Sequence, residues 1–90
     1  MSQQSIEIYT TAVCPYCVAA KNLLAARGLA YSETRVDTDH TAREAMLARS
    51  HGRRTVPQIF IGARHVGGFD ELAAADRDGR LADWLTGQGA

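Results

Sequence analysis

The sequence predicts an α/β fold, a mixed sheet with helices on its faces. Two observations carry this. Short β-rich segments alternate with runs of helix formers in the order β-α-β-α-β-β-α, with room for a fourth short helix. A helix joining two strands implies a parallel crossover, whereas a tight turn late in the chain adds an antiparallel strand.

"SIEIYT" (5–10) is the first strand, with Ile6 and Ile8 on one face. From Pro15 to Arg27 the chain reads as helix: Ala19, Ala20, Leu23, Leu24, Ala25 and Ala26 are strong helix formers, and Gly28 is placed to end it. "AYSETRV" (30–36) alternates but is largely polar, which suits an edge strand. In "DTDHTAREAMLARSHG" (37–52), Asp39 or Thr41 can cap a helix with Ala45, Met46 and Leu47 as its apolar surface. "PQIFIG" (57–62) is the most apolar strand, and Gly62-Ala63 turns it into "ARHVGG" (63–68). "FDELAAADRDG" (69–79) reads as a third helix. "RLADWL" (80–85) places Leu81, Trp84 and Leu85 on one helical face, with Trp84 expected in the core. The tail "TGQGA" is expected to fray.

Ninety residues suffice for one domain (1–90) and are too few for two, and a hydrophobic share of 46% supports a core. Ten acidic and ten basic residues give no electrostatic case for nucleic acid or an anionic membrane surface. No apolar run approaches the ~20 residues of a membrane span. "MSQQS" lacks the basic and apolar stretches of a signal peptide. A soluble chain in a reducing, cytoplasmic compartment is the expectation.

That expectation bears on Cys14 and Cys17 in "CPYC". A bridge between them closes a very short loop, and loop-closure stabilisation grows with loop length, so it would staple little. The pair makes more sense as chemistry. With Pro15 at the first helical position, where its missing N–H costs nothing, Cys14 falls at the N-cap and Cys17 in the first turn. Unpaired N–H groups and the helix dipole then favour thiolate over thiol at Cys14, lowering its pKa below that of free cysteine. Cys17 shares an inward face with Ala20 and Leu24. An exposed attacker and a sheltered resolver are expected. A zinc site needs about four ligands. His40, His51 and His65 lie far apart with no paired spacing, and each reads as an ordinary surface histidine.

"CPYC" after a strand, "TVPQIFI" some forty residues on, and then "GGFDEL" resemble the glutaredoxins, in the expected order and over nearly the whole chain. The likeness is to the dithiol class of small bacterial members. It implies a thioredoxin-like fold with a four-stranded mixed sheet in the order 2-1-3-4, flanked by three to four helices. It also implies a glutathione-disulfide oxidoreductase that reduces glutathione mixed disulfides and protein disulfides through Cys14 and Cys17. Glutathione is the co-substrate, and no organic cofactor or metal is required.

By resemblance the Val56-Pro57 bond is cis, which lets the backbone of Val56 pair with the glutathione cysteine as a short added strand, and Thr55, Val56 and Pro57 are among the glutathione-binding residues. Taken alone, Pro57 reads as an ordinary trans turn proline. Gly68 and Phe69 stand by the γ-glutamyl carboxylate, where glycines leading into a helix can present N–H groups to an anion, and Asp70 takes the ammonium. Tyr16 flanks the bound peptide, and Pro15 stiffens the site. Arg53 or Arg54 could meet the glycine carboxylate, although a solvated loop is the simpler reading of either. There is one departure: where the family commonly carries lysine three residues before the first cysteine, this chain has Thr11.

The partners implied are glutathione and glutathionylated or disulfide-bonded proteins, with ribonucleotide reductase a client by analogy only, and a monomer suits the size. Two alternatives stay open. One is a redoxin fed by thioredoxin reductase, which a comparison of electron donors would distinguish. The other is an iron–sulfur cluster carrier with glutathione as co-ligand, which colour after anaerobic purification would reveal.

Overall fold

The computed structural model describes residues 4–86, so most of the amino-terminal "MSQQS" and all but Thr86 of the "TGQGA" tail lie outside the described residues. The elements run β1 (Ile6–Thr10), α1 (Pro15–Ala26), β2 (Ser32–Arg35), α2 (His40–Arg49), β3 (Gln58–Ile61), β4 (Arg64–Gly67), α3 (Phe69–Asp78) and α4 (Arg80–Leu85). The sheet order is β2-β1-β3-β4. β1 pairs in parallel with β2 and antiparallel with β3, and β3 pairs antiparallel with β4. The expected order 2-1-3-4 and the fourth helix are both present.

Side-chain alternation along the central strands divides the core between the two faces. Ile6 and Ile8 of β1, and Ile59 and Ile61 of β3, pack with Ala20 and Leu24 of α1, Leu72 and Ala75 of α3, and Leu81 and Leu85 of α4. Tyr9 and Phe60 point the other way, toward Val36, just after β2, and Met46 of α2. This explains why "QIFI" is buried at every position: a central strand covered on both faces has no solvent side. β2 is the opposite case, an edge strand without a fully buried residue. Its Glu33 accepts hydrogen bonds from buried Thr10 at 2.6 Å and from Lys21 at 2.9 Å, which ties a polar strand to α1 and β1.

Local signals set the ends of the elements. α1 closes in a Schellman arrangement: Gly28 is left-handed, its N–H bonds to the Ala25 carbonyl, and the Leu29 N–H bonds to the Leu24 carbonyl. At the start of α2 the Asp39 carboxylate accepts the Ala42 N–H at 3.0 Å, so of the two candidate caps Asp39 serves.

The structure corrects two residue assignments. Trp84 is only partly buried. It rests against the larger core cluster and carries the guanidinium groups of Arg64 and Arg80, 4.8 and 5.4 Å from its ring centre. A six-residue helix at the margin of the fold has too little cover for a whole indole. His65, read as a surface side chain, is half-buried on β4, its ring stacked on Phe60 at 4.9 Å. His40 and His51 are exposed, and His40 pairs with Glu44 one turn on.

Candidate active site

The amino end of α1 follows directly from its residues. Pro15 stands at the first helical position and Cys14 is the N-cap, in extended conformation. Its Sγ accepts the Cys17 N–H at 3.2 Å, one of the donors that a helix start leaves free. Cys14 is half-exposed, and in its thiol form it lies 3.6 Å from the Val56 carbonyl, which can accept its proton.

Cys17 is only 2% exposed. Burial, and then the contact with Cys14, push its pKa up from 9.0 to about 12, while a Thr11 backbone hydrogen bond and the Lys21 charge act in the other direction. The two sulfurs therefore differ as expected, one reachable and one sheltered. A folded-state pKa above the unfolded one favours the neutral form. The resulting stabilisation is complete below about pH 9 and is lost as pH rises toward 12, at a slope approaching ~1.4 kcal/mol per pH unit. The difference in urea stability between the wild-type chain and Cys17→Ala is thus expected to shrink across that window. Parallel profiles would contradict the buried neutral thiol.

Opposite Cys14 the chain leading into β3 contains a cis Val56-Pro57 bond. A cleft of about 250 Å³ opens beside it. Its lining comes from Tyr16 of α1, from Arg53, Thr55, Val56 and Pro57 ahead of β3, and from Gly68, Phe69, Asp70 and Glu71 at the start of α3. Tyr16 is 63% exposed and faces Phe69 with ring centres 6.4 Å apart. Of the two arginines, Arg53 lines the cleft and Arg54 does not. Arg53 leans toward Glu71, with Nη2 3.7 Å from Oε1. Successive side chains of an irregular segment diverge, and only one of the two can turn inward. Thr11 does not line the cleft either; it meets the site through its backbone, at Cys17.

Sequence reading missed Glu71. Its carboxylate accepts the Gly68 N–H, holding the glycine turn against the first turn of α3. The spacing Gly68-x-x-Glu71 was the available signal, since it is half of a capping box. The turn also requires glycine: Gly67 has φ of +117°, and a Cβ there would stand 2.6 Å from the Glu71 Oε1. Between β3 and β4, Ile59 pairs with Gly67 and Phe60 with His65, leaving Val66 as the extra residue of a bulge. The bulge bends β4 just before the cleft.

The arrangement joins a reachable sulfur on a helix N-cap, a sheltered second thiol, and a cleft with one cation, two carboxylates and exposed backbone. Such an arrangement can carry out thiol–disulfide exchange. Among the described residues no group of three or more His, Cys, Asp or Glu side chains gathers as a metal site, and no helix is long and apolar enough to cross a membrane.

Comparison with known proteins agrees with this chemistry. Residues 6–66 match the glutaredoxin family. The chain is 51% identical to glutaredoxin 3 of Escherichia coli K12 over 77 residues, which cover 86% of this chain and 92% of that protein. It is 49% identical to a probable glutaredoxin of Synechocystis over 76 residues, 84% of this chain and 86% of that one. Among solved structures, the glutaredoxin of Brucella melitensis superposes with a TM-score of 0.83 at 43% identity, covering 100% of this chain and 96% of the other. A buckwheat glutaredoxin–glutathione complex superposes with a TM-score of 0.82 at 33% identity, covering 97% and 81%. This chain belongs to the glutaredoxin family.

Proposed function

We propose that the protein is a glutathione-dependent thiol–disulfide oxidoreductase that reduces glutathione mixed disulfides, and protein disulfides, through Cys14 and Cys17. The observation that carries the reading is the position of the Cys14 sulfur. It is half-exposed, receives the Cys17 N–H, and touches Val56 at the edge of the cleft. A helix N-terminus favours an anion at that point, and the anionic sulfur is the nucleophile.

The cleft complements glutathione group by group. Arg53 offers a cation to a carboxylate, the first turn of α3 offers N–H groups, and Asp70 offers an anion to the ammonium. Val56 offers backbone to the central cysteine. The related buckwheat protein was solved with glutathione, which supports the same ligand here.

The exchange balances in two steps. The Cys14 thiolate attacks the glutathione sulfur of a mixed disulfide. A Cys14–glutathione disulfide forms, the original S–S bond breaks, and the client leaves as a thiolate that takes a proton from water. A second glutathione thiolate then attacks the bound glutathione sulfur, releasing glutathione disulfide and restoring the Cys14 thiolate. With a protein disulfide, the Cys14 thiolate first attacks one client sulfur, forming a Cys14–client disulfide and freeing the other client sulfur as a thiolate that takes a proton from water. Cys17 then loses its proton and attacks the Cys14 sulfur, the Cys14–client bond breaks, the reduced client leaves as a thiolate, and a Cys14–Cys17 disulfide remains for glutathione to reduce. Glutathione is a co-substrate throughout. The reading places the protein in a reducing cytoplasm, as a monomer, with ribonucleotide reductase among the clients worth assaying.

The test is a choice of electron source. Turnover of a glutathionylated peptide is expected with glutathione and glutathione reductase, and only background turnover with thioredoxin reductase. The reverse preference would establish the redoxin alternative.

A further inference from the structure

We propose that His65 is a positioning residue for glutathione binding: through Gln58 it anchors the Thr55–Val56 backbone at the height the bound peptide needs. The inference rests on the glutathione reading above and deepens it.

The link is a chain of three residues from different parts of the fold. Gln58, fully buried at the start of β3, donates from Nε2 to the Thr55 carbonyl at 2.9 Å and lies 3.2 Å from the Thr55 hydroxyl. Its Oε1 stands 2.6 Å from His65 Nε2 on β4. Donor and acceptor roles follow outward from one fixed point. The Thr55 carbonyl can only accept, so the Gln58 atom facing it is the amide nitrogen. The amide oxygen therefore faces His65, and Nε2 of His65 must carry a hydrogen.

Burial depresses the His65 pKa, assisted by the charges of Arg53, His51 and Arg49 and opposed by Glu71. The neutral Nε2–H tautomer is thus the form that completes the chain. The imidazole is held flat on Phe60, whose other surroundings include the Arg49 guanidinium 4.0 Å from the ring centre.

What the chain holds is the wall of the cleft. Thr55 and Val56 line it, Val56 meets Cys14, and this segment otherwise belongs to no strand. With His65 unable to donate, the Gln58 amide has no fixed partner for its oxygen and is free to rotate away from Thr55. The loss falls on binding rather than on the sulfur chemistry.

Two substitutions separate positioning from packing. His65→Phe keeps a ring on Phe60 and removes the donor. His65→Gln removes the ring and restores an N–H donor near the place of Nε2. Positioning predicts that His65→Phe raises KM for a glutathionylated peptide about 5- to 10-fold with kcat within about 2-fold, and that His65→Gln stays within about 2-fold of wild type in both. A packing role predicts the reverse ranking. That ranking overturns the inference, as do two unchanged or two equally impaired variants. Should His65→Phe not fold, Gln58→Met carries the same test: the KM rise supports the link and an unchanged KM overturns it. Absence of glutathione-coupled turnover in the wild-type chain would instead overturn the functional reading, and this inference with it.

Discussion

Cys14→Ser is expected to lower glutathione-coupled turnover by at least about 10³-fold while leaving the fold intact. The two halves of this expectation have separate causes. A serine hydroxyl does not ionise near neutral pH, so the variant has no anion to attack sulfur. Serine is, however, among the preferred N-cap residues, and its oxygen can accept the Cys17 N–H that the Cys14 sulfur now accepts. The melting temperature should hold steady or rise. A variant that retains a tenth of the activity would show that another group is the nucleophile. A variant that loses both activity and fold would contradict the expectation that a serine oxygen can replace the Cys14 sulfur as the cap.

The second large effect separates the two reactions. Cys17→Ser is expected to keep reduction of glutathione mixed disulfides within about 3-fold, because the second glutathione resolves the Cys14 adduct without help. The same variant should lose at least about 10²-fold in direct reduction of a protein disulfide. There an intramolecular thiol, poised one helical turn away, replaces a collision with dilute glutathione. The sheltered thiol is suited to this late role. With its pKa pushed up to about 12 by burial and by Cys14, it does not compete for the first attack. It becomes useful only when Cys14 has been converted to a disulfide. If Cys17→Ser abolished mixed-disulfide turnover as well, the assignment of attacker and resolver would fail.

Much of this architecture could be read from residue order. Proline between two cysteines announced a helix start, and "PQIFIG" announced the most apolar strand, which lies in the middle of the sheet. The polar "SETR" belonged at an edge, where the structure puts it beside β1 alone. The cysteine pair was legible for the same reason: its geometry is local, set within one helical turn. Features that depend on long-range register were not legible. His65 looks exposed in "ARHVGG" until the bulge at Val66 and the stacking on Phe60 are known. Trp84 looks like core until the short reach of α4 and the arginines over its ring are known. Arg53 and Arg54 cannot be told apart in a run of basic residues, because which one turns inward depends on the path of the chain toward Pro57. Glu71 was hidden behind the more familiar Asp70. Its role at the Gly68 N–H follows from a turn that only the folded backbone displays.

Thr11 meets the site through its backbone, at Cys17, rather than from within the cleft. The cleft's cation is Arg53, which is already drawn toward Glu71. On the proposed glutathione reading, charge balance around the ligand depends on Arg53 and the start of α3.

The account as a whole depends on which sulfur of a mixed disulfide Cys14 attacks. A single-turnover reaction of Cys17→Ser with a glutathionylated peptide, quenched with acid and weighed as intact protein, answers this directly. The protein should emerge carrying one glutathione on Cys14, with the peptide released as free thiol. Recovery of the peptide on Cys14, or of protein with no adduct after the peptide has been reduced, would contradict the account.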